Sequence, residues 1–462
     1  LLLNTTGVRS SAVGMDALGA NTSGGYNTAL GNNSLGANTT ASDNTAIGYN
    51  SLLSNTTGAG NTSIGASALD ANTTGGSNIA VGKNALSANI TGDYNTAVGT
   101  DALIVNTTSG NTAVGRQSQK ATTTGASNTS VGKHSMYSNT SGASNVAVGD
   151  DALSGNTTAS FNTAVGRLAM AANTTGHSNE AIGYESLRAN TTGYYNTALG
   201  TQALQAVTTG NRNIGIGRLA GHKITTGLYN VNIGEWSNGS CITGTHNVAI
   251  GTNTMAANTA SYNTAVGGTA LDTNSTGTEN AAFGTWSLTA NTTASYNTAL
   301  GSNTLPANTT GANNTALGRA ALFANTTASN NTAVGSSALL ANTTGTSNSA
   351  LGHAALYTNT TGGENTAIGR QALYSATTAS YNTALGYNSA FANTTGENNT
   401  SVGRHSLFTN TTGSQNTALG RNALGYNTTA SNNTAVGYYA LLQNTTGTPN
   451  TAVGYNSLAA NT

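Results

Sequence analysis

Asn95-Thr-Ala-Val-Gly99 is the stretch on which the fold turns, because the chain repeats it from end to end. It returns as Asn27-Thr-Ala-Leu-Gly31, Asn44-Thr-Ala-Ile-Gly48, Asn365-Thr-Ala-Ile-Gly369 and Asn450-Thr-Ala-Val-Gly454. Counting each repeat from the closing glycine as position 0 gives twenty-seven glycines, from Gly14 to Gly454. Twenty-four of the twenty-six intervals are 17 residues; Gly99 to Gly115 and Gly251 to Gly267 are 16. Such a register over so long a chain marks a tandem-repeat architecture, in which one body extends by stacking equivalent units.

Each position has a fixed character. Position −1 is always apolar (Val13, Leu30, Ile47), and position −2 is nearly always Ala. Position −4 is Asn in every repeat except the first, which has Ser10. Position +4 is Leu in twenty repeats and Met in three, and position +7 opens Asn-Thr-Thr-Gly or Asn-Thr-Thr-Ala. The box is rich in Thr, Val and Ile, and Gly with Asn interrupts every apolar run, which are strand and turn preferences. Helical repeats usually need 30 or more residues for two helices and their turns.

The reading is therefore all-β: a parallel β-solenoid (β-roll or β-helix) with 17-residue coils, about 27 of them, as one continuous region over residues 1–462. Like residues stack about 4.8 Å apart, which implies a rod of roughly 130 Å. Thr-Ala-Val forms one short strand and Ala-Leu a second, the box Gly permits the turn between them, and Val, Ile or Leu at −1 fills the core. Asn-Thr-Thr-Gly makes a corner, and both shortened repeats lose their residue there, at Asn106–Asn111 and Asn258–Asn263, as expected of a loop.

Composition narrows the role. Charged residues make up 6 % of the chain, and fourteen basic residues balance fourteen acidic ones, so no net field draws nucleic acid. No apolar run is long enough for a membrane-spanning helix, so no membrane insertion is expected. The chain opens and stops in mid-repeat, which reads as part of a longer protein.

The box followed by two variable residues and Ala-Leu resembles the head repeats of YadA-like trimeric autotransporter adhesins. The form with Asn-Thr-Thr-Gly between boxes looks still more like the shaft repeats of phage tail fibres. The resemblance implies a left-handed parallel β-roll, three chains packed side by side as a homotrimer, and an extracellular, cell-surface or virion location.

Four features carry chemical potential. The Asn-x-Thr sequons at +7, among them Asn38, Asn55, Asn72, Asn190, Asn291, Asn308, Asn342 and Asn410, are candidate N-glycosylation sites; the plainer reading is that Asn and Thr are good turn and ladder residues. Further sequons stand at Asn313, Asn330, Asn398 and Asn432. Nine of the fourteen basic residues occupy +1, including Arg319, Arg370, Arg404 and Arg421, and they share it with Tyr387 and Tyr438. That row is a candidate surface for acidic polysaccharide, or simply a solvated edge. A second aromatic row, Tyr26, Tyr94, Phe161 and Tyr195 among it, precedes the box Asn. Between Gly200 and Gly251 the pattern loosens: Val207, Ile224 and Cys241 replace the +7 Asn, and Arg212, Arg218, His222, Lys223, Glu235 and Trp236 gather. Cys241 reads as a buried or free thiol.

No catalytic constellation is expected. The six histidines occupy scattered repeat positions, no phosphate loop with its Lys occurs, and Asp101, Asp150 and Asp151 sit at turns without a partner base. The expected role is a non-enzymatic structural fibre or adhesin shaft, needing no cofactor and no metal, with self-association as a trimer or end-to-end filament. The alternatives are a carbohydrate-binding module using the Arg/Tyr row against glycans or cell surfaces, and an ice-binding face of Thr rows.

Overall fold

The computed structural model describes residues 3–462. All twenty-seven described strands are three residues long, from β1 (Ser11–Val13) to β27 (Thr451–Val453), one per repeat. The chain falls into two compact units, Leu1–Tyr229 and Asn230–Thr462. The first carries β1 to β13 (Ile214–Ile216), the second β14 (Val231–Ile233) to β27. Within each unit neighbouring strands pair in parallel and in register, as in Thr28↔Thr45, Ala29↔Ala46 and Leu30↔Ile47 or Thr417↔Thr434, Ala418↔Ala435 and Leu419↔Val436. Each unit is thus a parallel β-solenoid of 17-residue coils. The 16-residue repeats keep the register, with Thr96 opposite Thr112 and Val248 opposite Thr264. The loop absorbs the deletion instead: Asn106 bonds the carbonyl two residues on (2.8 Å), where other coils bond three residues on.

Two parts of the sequence reading need correction. The first concerns the core. The −2 residue, Ala in all but five strands, points inward and is buried in every strand but the first, while the apolar −1 residue points outward and is half-buried or exposed in all of them. Leu at +4 is the large core residue, with Leu35, Leu52, Leu339 and Leu356 fully buried. A strand of three residues has no length over which alternation can reveal its inner face. The thin coil decides the matter, because only a small side chain fits between two close backbones.

The second correction concerns Ala-Leu, which forms no strand. Leu35 has φ 51° and Asn33 φ 58°, and the same two positions are left-handed in coil after coil. Backbone bonds alternate there between a turn and the neighbouring coil. Gly36 N–H donates to Asn33 O (3.3 Å) and Asn38 N–H to Leu35 O (3.2 Å), while Leu35 N–H donates to Ser51 O (3.1 Å) and Ala37 N–H to Leu53 O (3.0 Å). A left-handed non-glycine residue costs about 1–2 kcal/mol, and burying a leucine returns about 1.5–3 kcal/mol. The strain is therefore offset where it arises. The box glycine is bound more strictly: Gly335 has φ 136°, and a Cβ there would lie 2.5 Å from Gly352 O.

The asparagines form the ladders of the plainer sequence reading, and both Asn rows lie inside the coil. Asn44 N–H donates to Asn27 Oδ1 (3.0 Å), and Asn44 Nδ2 donates to Gly58 O (3.0 Å). At +7, Asn38 Nδ2 donates to Asn21 Oδ1 (2.9 Å) and to Ala41 O (3.1 Å). These two polar ladders satisfy backbone groups that so narrow a core would otherwise leave buried and unpaired.

Candidate functional site

The eight sequon asparagines, Asn38, Asn55, Asn72, Asn190, Asn291, Asn308, Asn342 and Asn410, are fully buried. Each gives one Nδ2 hydrogen to the Oδ1 of the preceding coil, for example Asn342 to Asn325 (3.0 Å) and Asn410 to Asn393 (2.7 Å). The other goes to a carbonyl three residues on, Gly345 O (3.0 Å) and Gly413 O (2.9 Å) in those coils. A glycan replaces one of those hydrogens and needs open space, so the folded coil leaves these nitrogens no room for one. Asn313, Asn330, Asn398 and Asn432 face solvent instead.

The ladder is interrupted where the sequence departs from Asn. Asn190 Oδ1 and Asn359 Oδ1 are buried without a partner, and the next coils carry Val207 and Ala376 in the donor's place. Val207, Ile224, Cys241 and Ala376 are all fully buried, as an interior position requires. Cys241 is a free thiol, and burial raises its pKa. Other polar substitutions in the core come in compensating sets. Ser63 replaces the inward Ala and accepts from Ser51 Oγ (2.8 Å), and Gln119, in the Leu position, donates to Ser130 Oγ (2.9 Å).

Of the residues gathered around the loosened repeats, Arg212 lies over the rings of Tyr194, Tyr195 and Tyr229 at 5.4, 5.6 and 5.3 Å and bonds the Tyr229 hydroxyl (2.9 Å).

The nine basic residues of the +1 row are exposed, as their charge suggests. Arg370 and Arg404 lie against the Tyr387 ring at 5.7 and 5.8 Å, and Arg421 lies against Tyr438 at 5.5 Å. Tyr438 stacks on Tyr455 (5.5 Å, 4° between planes). Arg370, Arg404 and Arg421 thus join one ladder of cations and rings, while Arg319 stands between Ser302 and Ser336 in the adjacent coils. Among the described residues, His134–Asp151 and Arg188–Glu185 form ion pairs, and none of these four arginines is paired with a carboxylate.

Between positions +2 and +5 each unit has a cleft that sequence reasoning missed: one of about 380 Å³ near His134, Tyr137 and Asp151 in the first unit and a slot of about 130 Å³ near His405 and Phe408 in the second. His134 and Asp151 are both +2 residues of adjacent coils, which brings His134 Nδ1 to 3.4 Å from Asp151 Oδ1. Asp151 therefore does have an imidazole partner, contrary to expectation. The other imidazole nitrogen, His134 Nε2, meets Gln117 Oε1 (3.0 Å). In the second unit the +5 positions build a stack: Tyr357 on Tyr374 and Tyr374 on Phe391 at 5.1 Å and 8°, then Phe391 on Phe408 at 5.5 Å and 24°. The signal was available in the sequence as a column of aromatics spaced by 17. Burial lowers the pKa of His405, with Arg404 and Arg421 adding to the effect.

Among the described residues no cluster of His, Cys, Asp and Glu could hold a metal ion, and no helix is long and apolar enough to cross a membrane. The architecture is that of a tandem-repeat parallel β-solenoid with one decorated edge. No family model matches the chain, and no curated protein matches it.

Proposed function

We propose that the chain is a non-enzymatic structural protein, a fibre or adhesin shaft outside the cell, on a cell surface or on a virion, whose copies lie side by side through the outward face of the sheet. The observation that carries this reading is the −1 row. Leu30, Ile182, Leu199, Leu351 and Leu419 keep 47, 44, 45, 48 and 46 % of their surface exposed, in register with neighbours of the same kind. Scattered apolar residues are normal on a surface, but a continuous apolar stripe marks an interaction site. In the second unit the row extends over fourteen coils, β14 to β27, and a specific interface buries about 800 Å² per partner. Replacing Leu317 and Leu351 with Glu should shift sedimentation velocity toward the single chain. A wild-type chain that sediments as a monomer at every concentration removes the reading.

A different observation supports a second reading, in which the edge binds an acidic polysaccharide. Arg370, Arg404 and Arg421 are held by aromatic faces and carry no carboxylate partner, which leaves their N–H groups for an anionic chain. Glycan arrays test it, with binding lost in Arg404→Ala/Arg421→Ala.

A further inference from the structure

The aromatic stack of the second unit ends abruptly. After Tyr357, Tyr374, Phe391 and Phe408, the next residue of the same column is Gly425, followed by Leu442. The missing side chain leaves the slot of about 130 Å³, lined by His405, Phe408, Asn422, Gly425, Tyr426 and Leu442. Coils rise about 4.8 Å each, so the backbones at Phe408 and Leu442 are about 9.6 Å apart, and the Leu442 side chain takes up part of that gap, its Cδ1 2.9 Å from where a Cβ on Gly425 would lie. A cavity of about 150 Å³ holds a benzene, so the slot of about 130 Å³ takes part of one ring, with the remainder outside it.

The slot is not plainly apolar. Asn422 Oδ1 is buried without a hydrogen-bond partner, so the wall offers an acceptor that calls for a donor. Asn388 Oδ1, one coil earlier in the same column, is in the same condition. Asn422 therefore identifies the slot only in combination with the gap at Gly425. Arg404 and Arg421 immediately precede His405 and Asn422 in the chain. His405 packs on Phe408 (4.8 Å between centroids) and on Tyr387 (5.5 Å), and Tyr387 carries the Arg404 guanidinium. The slot thus has a ring face and an acceptor in its wall, with the Arg404 and Arg421 guanidinium groups on the Tyr387 and Tyr438 rings of the +1 row rather than in its lining.

We propose that the slot over Gly425 is a subsite for one ring of an acidic sugar chain, which stacks its C–H face on Phe408, donates a hydroxyl to Asn422 Oδ1 and sets its carboxylate against Arg404 and Arg421. A neutral aromatic side chain would fill the volume but leave the cations unused, and a bare anion would leave the slot empty. The subsite rests on the polysaccharide reading of the edge and adds ring selectivity to it.

The test is calorimetric titration of the full chain with an oligogalacturonate, beside a neutral oligoglucose and N-acetyltyrosinamide. Gly425→Phe fills the slot at a position where Phe391 and Phe408 already stand in other coils, and the Cβ meets only the flexible end of Leu442 at 2.9 Å and Asn422 O at 3.1 Å. Asn422→Ala is a second variant; its φ of 56° is shared by Ala320 and Ala354 (55° and 53°). The expected result is oligogalacturonate binding that weakens tenfold or more in Gly425→Phe and about fivefold in Asn422→Ala. The salt needed to elute Gly425→Phe from a sulfopropyl exchanger, which reads the arginines alone, stays unchanged. Binding indifferent to both variants but lost in Arg404→Ala/Arg421→Ala overturns the subsite and leaves the polysaccharide reading standing. No oligogalacturonate binding by the wild type overturns both. Binding of N-acetyltyrosinamide, sensitive to Gly425→Phe and without any for the sugar, overturns the sugar assignment in favour of an aromatic protein partner.

Discussion

At the scale of single residues, the coil is held by small groups with exacting partners. The +7 ladder makes this testable in both directions. Asn359 Oδ1 lacks a donor, and Asn393 Nδ2 donates to Gly396 O (2.9 Å) without the usual bond to the coil before; Ala376 stands between them. Ala376→Asn should supply both missing bonds and stabilise the second unit by about 1–2 kcal/mol, read as a raised melting temperature. Asn342→Asp should do the opposite, because a carboxylate cannot donate to Asn325 Oδ1 or Gly345 O, and should cost more than Asn342→Ala. The same geometry predicts that enzymatic deglycosylation leaves the mass contributed by these eight asparagines unchanged. The rows were legible from the sequence as turn and ladder residues, but Asn with Thr and Gly is ordinary turn chemistry and left open whether they face inward or carry glycans. The signal for an inward row was present in Val207, Ile224, Cys241 and Ala376, apolar replacements at the corner. His405 adds a pH dependence. Its folded-state pKa lies below the unfolded value, so the unfolded chain binds the proton first and stability falls as pH drops below about 6.5. The melting temperature of the wild type should therefore decline more between pH 7 and pH 5 than that of His405→Asn.

At the scale of elements, the three-residue strand and its turn define the inside. Ala333 is fully buried and Val334 is its outward neighbour. Ala333→Leu should cost about 1–3 kcal/mol through overpacking, whereas Val334→Ser should change the stability of dilute, dissociated protein by within about 0.5 kcal/mol. Thermal melts of the two variants check this, and the opposite order would restore the valine core. Period, parallel pairing, the glycine turn and the Leu column were all readable, because each depends on one residue type recurring at fixed spacing. The inner face of the strand was not, since one-residue parity decides it and three residues do not display parity. The second strand was misread because leucine at positive φ is costly in isolation and becomes acceptable only through the intercoil bonds and burial that the finished coil provides. The edge row was visible as charge, whereas the clefts between +2 and +5 required aligning aromatics seventeen residues apart.

At the scale of the whole molecule, the two proposed roles fall on different parts of the surface. The proposed self-association uses the aliphatic rows on the strands' outward face, and the proposed polysaccharide site uses the cations, rings and clefts of the +1/+5 edge. Changing one should leave the other intact: Leu317→Glu/Leu351→Glu should retain the exchanger elution of the wild type after correction for its added charge, and Arg404→Ala/Arg421→Ala should retain its state of association. The central claim is lateral self-association of a structural solenoid. Light scattering coupled to size exclusion tests it most directly. The account predicts a mass at a whole multiple, two or more, of 45.7 kDa for the wild type, and a shift to the single-chain mass, with the circular dichroism spectrum unchanged, when Leu317 and Leu351 become Glu. A wild-type mass of one chain across the accessible concentrations would contradict it.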